Sequence, residues 1–494
     1  MMHRQISRWI LPGLPLLAML CACSPLGPDY HPPEVAMPSA WKGQGADAGI
    51  LWQMSTPSDA ASKADWWTIF GDAQLNALEA RCLGQSPTLQ LALARLDQAR
   101  AQETIRGAAM LPMVQLNPSE SRGRISANRP LSNYGVQNAS TVQNDSRFAV
   151  NVSYEFDWLG KVRRDVEAAH ATAEQARADS ENVRLLLTAE VASNYFRIRQ
   201  LDEEIANLTD TTKAQGQIVR LMQRRYAAGA AGQADLAQQT ALAEATLAQL
   251  ELLIAQRRQA ENTLGTLLGI PAADFRLEAG RLPAQPPAIP ATVPSTLLER
   301  RPDVASAERG VAAANAQIGV AQAAYYPSLT LAPSYLGYES ARMARLLDSP
   351  SLIWSIGLSA AQILFDGGRT RGGVDYAQAG YTAAVAGYRQ TVLVAIREVQ
   401  DALDGLHEAE VAGQHQNEAV QQQGKAYRIS LSRYREGLDN GLTLALNEQA
   451  KLAAERSQSQ IRGSQFALSV ALIKALGGSW ALPPAPTNEA HKNL

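Results

Sequence analysis

The chain has three cysteines in 494 residues, and two of them, Cys21 and Cys23, sit in its first two dozen positions. Cys82 is the only thiol further along, so no internal disulfide framework can hold the fold. The six histidines are scattered without ligand spacing, which leaves a metal centre unsupported. Aromatic residues make up only 6% of the chain, while Ala, Leu and Gln are abundant, a composition suited to long helices packed closely together. A net charge of −2 lacks the basic surface a nucleic-acid binder requires. Beyond the N-terminus no apolar run approaches the ~20 residues of a membrane-crossing helix, so a bilayer-inserted mature chain would have to use β-strands. Neither a Gly-x-Ser-x-Gly elbow nor a His-Glu-x-x-His helix is present. Gly367 to Gly373 is glycine-rich, but it lacks the Gly-Lys-Ser/Thr ending of a phosphate loop and is better explained as a strand-to-helix junction. No cofactor or enzymatic activity is expected.

What is present begins with a leader. Arg4 and Arg8 precede an apolar run from Trp9 to Leu20, a secretory pattern too short to span a bilayer. The Leu20-Cys21-Ala22-Cys23 sequence resembles a lipobox, which makes Cys23 the expected lipidated first residue of the mature chain. Ser24 behind it fits a signal for the outer membrane.

The rest of the chain says the same thing twice. Phe156-Asp157 returns as Phe365-Asp366, Arg225-Tyr226 with Gly229 returns as Arg433-Tyr434 with Gly437, and Leu268-Gly269 returns as Leu476-Gly477, at offsets of 208 or 209 residues. A period this long lies outside the solenoid range of roughly 20 to 50 residues. The expected organisation is a leader over 1–22, an extended lipid-anchored segment over 23–65, one repeat over 66–282, a proline-rich linker over 283–294, a second repeat over 295–480 and a tail over 481–494.

Within each repeat the hydrophobic period changes. Phe148, Val150, Val152, Tyr154, Phe156 and Trp158 alternate with Arg147, Ala149, Asn151, Ser153, Glu155 and Asp157, predicting a strand with one apolar and one polar side. Leu352, Trp354, Ile356 and Leu358 predict its counterpart, with partner strands expected over Met113–Arg124 and around Leu329 to Tyr335. Four such strands cannot close a barrel, because single-chain barrels need about eight. They must remain as edges or be pooled with other chains, and three copies would supply twelve. No proline interrupts the chain between Asp157 and Tyr226, or between Asp366 and Tyr434, so each stretch is predicted as a helix on the order of 100 Å long. Leu187, Val191, Tyr195, Ile198, Leu201, Ile205 and Leu208 run at heptad spacing, as do Val392, Ile396, Val399, Leu403 and Leu406. Each long helix then reverses at glycine-containing turns, giving two helical hairpins.

These residues carry a resemblance. Gly27-Pro28-Asp29-Tyr30 behind a lipobox, Trp66-Trp67 with Phe70, Arg300-Arg301-Pro302-Asp303-Val304, Ile318-Gly319, Tyr326-Pro327 and Phe365-Asp366-Gly367-Gly368 together resemble the TolC/OprM family of outer-membrane efflux channel lipoproteins. The resemblance implies a mainly α fold with a membrane β-barrel portion. Three copies would form a 12-stranded outer-membrane barrel continued by a periplasmic α-helical barrel. It also implies a periplasmic adaptor and an inner-membrane transporter as partners, alongside outer-membrane lipid. Tyr226, Gly229, Tyr434 and Gly437 would mark the adaptor-docking tips. The family often closes its mouth with carboxylates just after the second tip, where this chain has Thr443 and Leu446. Asp235, Asp439 and Thr443 are the gate candidates, and either acid is equally readable as a helix cap. The competing expectation is a non-conducting coiled-coil scaffold lipoprotein.

Overall fold

The computed structural model describes residues 25–35, 65–127, 141–283, 285–287 and 301–478. The leader, Cys23, most of the 23–65 segment, most of the 283–294 linker and the 481–494 tail lie outside the described residues. In chain order the elements are α1 (Ala73–Gln85), α2 (Pro87–Gly107), β1 (Met113–Ile125), β2 (Thr141–Ser153), β3 (Glu155–Phe156), α3 (Lys161–Ala227) and α4 (Gln233–Leu267). The second repeat supplies α5 (Pro302–Ala323), β4 (Ser328–Leu331), β5 (Ser334–Ser340), β6 (Leu352–Ser355), β7 (Leu358–Ala361), α6 (Arg369–Arg435) and α7 (Gly441–Ala475). At 67 residues each, α3 and α6 match in length, as do the 35-residue α4 and α7.

The compact units are not the two sequence repeats. Among the described residues, one unit holds 25–33, 96–127, 141–176 and 307–388, and the other holds the remainder. Each unit draws on both repeats, because α3 and α6 both start in the first unit and continue into the second.

In the first unit the strands form two antiparallel sheets ordered β1-β2-β5-β6 and β3-β4-β7. The seven segments trace the four expected passages, each of the last three interrupted once. Pro333 has no N–H to give and breaks β4 from β5. Tyr154 separates β2 from β3, and Ile356-Gly357 separates β6 from β7. Pairing persists across these breaks through Leu331 N–H to the Tyr154 carbonyl at 2.7 Å and Ala332 N–H to the Gly357 carbonyl at 2.8 Å. The sequence placed Asp157 and Trp158 on the strand, but the strand stops at Phe156. Asp157 turns instead to accept from the N–H groups of Val162 and Arg163 at 2.9 and 3.0 Å, capping α3. Asp366 does the same for α6 through Gly368 and Thr370. The repeated Phe-Asp is thus a strand end followed by a helix cap.

Register fixes which side chains share a face. Leu116, Val150, Leu336 and Trp354 form one cross-strand row, and Pro118, Phe148, Tyr338 and Leu352 form the next. Phe156, Leu329 and Ala360 continue that face in the smaller sheet. The opposite face carries Gln115, Asn151, Tyr335 and Ser355 in one row, and Glu155, Thr330 and Ser359 in another. The apolar face is bare in the single chain, with Leu336 60% and Trp354 68% exposed. From Phe148 to Phe156 it runs roughly 26 Å along the strand, which at barrel tilts suits a hydrocarbon layer.

Below the sheet the N-terminal strap explains the Gly-Pro-Asp-Tyr motif. Arg164 of α3 donates to the Leu26 carbonyl at 3.0 Å and pairs with Asp29 at 2.8 Å. Asn315 of α5 donates to the Pro28 carbonyl, and the Tyr30 hydroxyl donates to the buried Glu308. Gly27 is required here, because a Cβ would lie 2.6 Å from the Gly319 Cα.

The second unit packs Trp66, Trp67, Tyr195, Phe196 and Phe466 into one core, with Phe196 and Phe466 rings 4.7 Å apart. The heptad positions Leu187, Val191, Tyr195, Ile198, Leu201 and Leu208 of α3 are buried as expected, and Ile205 is half-buried. On α6 the seam is displaced: Val392 and Val399 are buried, but Ala395 and Ala402 sit in the centre while Ile396, Leu403 and Leu406 are only half-buried. Arg301, from the Arg-Arg-Pro-Asp-Val motif, donates to the Ala475 carbonyl at 3.0 Å and so caps the last residue of α7.

Two outcomes follow from this packing. Val150→Arg places a charge in the middle of the apolar face and is expected to cost about 2–4 kcal/mol of assembly in lipid. Folding into vesicles, followed by protease protection, measures it, and wild-type yield would show that this face does not meet lipid. Glu79 is buried without a hydrogen-bond partner for either carboxylate oxygen among the described residues. Burial pushes its pKa from 4.5 up to about 9. The raised folded value means that the wild type loses stability as pH climbs through that window. Glu79→Gln is therefore expected to match the wild type near pH 4.5 and to exceed it by roughly 2–3 kcal/mol at neutral pH in melting experiments. A pH-independent difference would mean that the carboxylate finds a partner on assembly.

Candidate functional site

Two regions hold the residues to which the sequence pointed. The first is the polar face of the sheet. Arg147 stands opposite Glu339 and Ser119 in register, and its guanidinium lies 4.6 Å from the centre of the Tyr335 ring. Gly337, in the next row, lies so close to β2 that a Cβ there would sit 2.3 Å from the Phe148 carbonyl oxygen. This face is polar and carries charges, the inverse of its apolar side. No helix among the described residues is long and apolar enough to cross a membrane.

The second region comprises the two hairpin tips. Gly229 and Gly437 take positive φ values of 69° and 77° at the ends of α3 and α6. Ala230 N–H returns to the Arg225 carbonyl at 2.8 Å, and Leu438 N–H to the Arg433 carbonyl at 2.9 Å. The repeated Arg-Tyr-x-x-Gly is therefore a helix-terminating device in which only glycine fits without strain. Asn440 starts α7 by accepting from the Thr443 N–H at 2.8 Å.

The tips share this backbone but differ in exposure and chemistry. Tyr226 is 44% exposed, whereas Tyr434 is 5% exposed and packs with Ile218, Met222 and Leu444. The Arg225 guanidinium lies 4.9 Å from the Tyr434 ring centre and donates to the carbonyls of Tyr434 and Arg435 at 3.2 and 3.1 Å. Of the four expected docking residues, Tyr226, Gly229 and Gly437 are surface and Tyr434 is support. The first tip is alanine-rich, through Ala227, Ala228, Ala230 and Ala231, and the second carries Arg435, Glu436, Leu438 and Asp439.

The gate candidates are occupied locally. Asp439 accepts from the Ser430 hydroxyl at 3.4 Å and lies 3.8 Å from Arg433. Asp235 sits in the first turn of α4, where its charge suits the helix dipole, and Thr443 donates to Asn440. Leu442 and Leu446 are exposed instead, four apart at the start of α7, as is Leu438 in the turn before it. Deeper in the hairpin, Gln239 donates to Glu448 at 3.2 Å; burial raises the Glu448 pKa, opposed by that bond and by Lys451. The sequence reading missed the Arg225–Tyr434 stack, although the arginine stands before the tyrosine in both copies.

A family model described as outer membrane efflux protein matches residues 79–270 and 293–478, more than half of the chain. The pyoverdine export outer membrane protein OpmQ of Pseudomonas putida is 33% identical over 472 residues, covering 94% of this chain and 97% of that protein. The toluene efflux pump outer membrane protein TtgC of Pseudomonas putida is 33% identical over 475 residues, covering 94% of each chain. Among solved structures, the outer-membrane channel OprN superimposes with a TM-score of 0.82 at 29% identity, covering 92% of this chain and 99% of that one. The CmeC outer membrane channel of Campylobacter jejuni gives 0.81 at 25% identity, covering 92% and 95%. With one matched segment in each half of the chain, and with this sheet and these hairpins, the chain belongs to the outer membrane efflux protein family.

Proposed function

We propose that the chain is the outer-membrane exit duct of a tripartite efflux system, conducting passively what an inner-membrane transporter and a periplasmic adaptor deliver. One observation carries this reading: the sheet has an apolar face sized for lipid, a charged opposite face and, among the described residues, two unpaired edges, β1 and β6. In hydrocarbon those edges need partners, and three copies joined edge to edge give a closed wall around a polar lumen. A scaffold would have no use for such a wall. Pyoverdine and toluene appear in the names of relatives with similar identity, which fits a duct whose cargo is selected upstream.

The duplication supports the same assembly at the tips. Shifting the Arg225–Tyr434 pair by 208 residues gives Arg433 and Tyr226, which the single chain leaves apart and exposed. Leu221, which packs on the buried tip cluster, shifts to Ile429, which is 53% exposed. In a ring of alternating repeats, Arg433 and Ile429 of one copy meet Tyr226 of the next. The exposed Tyr226, Gly229 and Gly437 then form the rim offered to the adaptor, and Leu442 and Leu446 supply an apolar constriction in place of a carboxylate ring.

Reconstituted in planar bilayers, the protein is expected to conduct without any energy source, and a silent, monomeric preparation would sink the duct reading. In a Cys82→Ala background, Tyr226→Cys with Arg433→Cys should yield trimers on treatment with a short bismaleimide. Arg225→Cys with Tyr434→Cys should give only a link within one chain. Failure of the first pair alone to cross-link would refute the ring contact while leaving the channel intact.

A further inference from the structure

The apolar face of the sheet ends at a definite row, and arginines follow beyond one intervening polar row. Past Pro118, Phe148, Tyr338 and Leu352 comes the row Glu120, Ser146 and Ser340. The next row has Arg122 opposite Asn144. Arg342 lies two residues beyond Ser340, in a bend just past the end of β5 where its N–H donates to the Ser340 hydroxyl at 3.2 Å. Arg122 on β1 and Arg342 just past β5 thus lie at the same end of the sheet, on passages two strand spacings, about 10 Å, apart.

The chain then makes a short turn, Met343–Arg345, in which arginines alternate with bare apolar side chains. Met343 is 63% and Leu347 is 73% exposed, with Arg345 between them. Such a segment suits the boundary between acyl chains and headgroups, where apolar groups dip inward and guanidinium groups bend to the polar layer. Among the described residues Arg122, Arg342 and Arg345 form no ion pair. Their nearest acids by position are Glu120, one row toward the apolar band, and Asp348 in the same turn, while Glu339 faces the other way, opposite Arg147. Arg122 stands four residues past the apolar edge, roughly 10 Å higher after strand tilt, which is headgroup depth. This end of the sheet is the one remote from the strand-to-helix junctions at Asp157 and Asp366, and hence lies in the outer leaflet.

We propose that Arg122, Arg342 and Arg345 form a binding site for phosphorylated lipid headgroups of the outer leaflet. Arginine suits this ligand because its planar fork grips phosphate oxygens in pairs and is weakly hydrated. The site rests on the barrel reading of the sheet, which bilayer conductance reports separately. A ring of three such sites ties the barrel to its annular lipid at a fixed depth.

The test uses the full-length, delipidated trimer with bis-phosphorylated lipid A, the same lipid dephosphorylated, and inorganic phosphate as probes, read by native mass spectrometry. Bis-phosphorylated lipid A is expected to bind tighter than the dephosphorylated form. Arg122→Gln with Arg342→Gln should weaken it by roughly 25-fold, about fivefold per arginine, while Arg122→Lys with Arg342→Lys retains most of the affinity. Equal binding of the two lipids, or an unchanged affinity in the Gln variant, overturns the site. Full competition by millimolar inorganic phosphate would make it a soluble-anion site and overturn the lipid assignment. Should the Gln variant fail to trimerise, the two-lipid comparison on the wild type still decides.

Discussion

Every backbone N–H and carbonyl that enters hydrocarbon must be paired, and this requirement governs the rest of the molecule. The chain can satisfy β2 and β5 internally but leaves the outer edges of β1 and β6 to other copies. From that follow a small number of strands per chain, their polar inner face and the need for identical neighbours at a fixed angle. The helices inherit that angle through the two strand-to-helix junctions. Asp157 and Asp366 cap α3 and α6 immediately after the last strand residues, so helix direction is set within a few residues of the sheet.

The same economy appears at the other helix ends. Arg301 closes α7, Asp72 opens α1 by accepting from Gln74 and Leu75, and Asn440 opens α7. These contacts are individually worth about 1 kcal/mol. Their larger effect is geometric, because helices this long magnify a small error at one end. The buried Arg199, Asp202, Arg257 and Glu261 cluster plays a comparable part. Asp202 holds Arg199 at 2.8 Å, Arg257 at 2.7 Å and the Gly280 N–H at 3.0 Å, stitching the extended stretch after α4 to α3. Its members are costly to desolvate singly and stable only together.

Much of this was legible in the residues. Alternation of Phe148, Val150 and Val152 against Arg147, Ala149 and Asn151 gave the strand and both of its faces, since a period of two has no other physical meaning. Heptad spacing on α3 gave its buried seam. Misreadings arose where one residue could serve two roles. Asp157 fits the polar side of a strand and a helix cap equally well, and only the hydrogen bonds to Val162 and Arg163 decide between them. Tyr434 and Tyr226 occupy equivalent positions, yet one is core and the other surface, because burial depends on what the neighbouring repeat presents. On α6 the alanines displaced the seam, as small residues allow a closer approach than the larger aliphatics on either side. The interleaving of the repeats into two compact units was not visible in a linear pattern.

The difference between the tips has a further consequence. One is a smooth cap of alanine and glycine around Gly229, and the other presents Arg435, Glu436 and Leu438 around Gly437. Three copies in a ring therefore display six prongs of two alternating kinds. A partner with three identical subunits can address one kind and ignore the other. A hexameric partner docked there would meet each kind in turn, so its single sequence would have to tolerate two chemically distinct sockets, and selection on that partner would be divided between them.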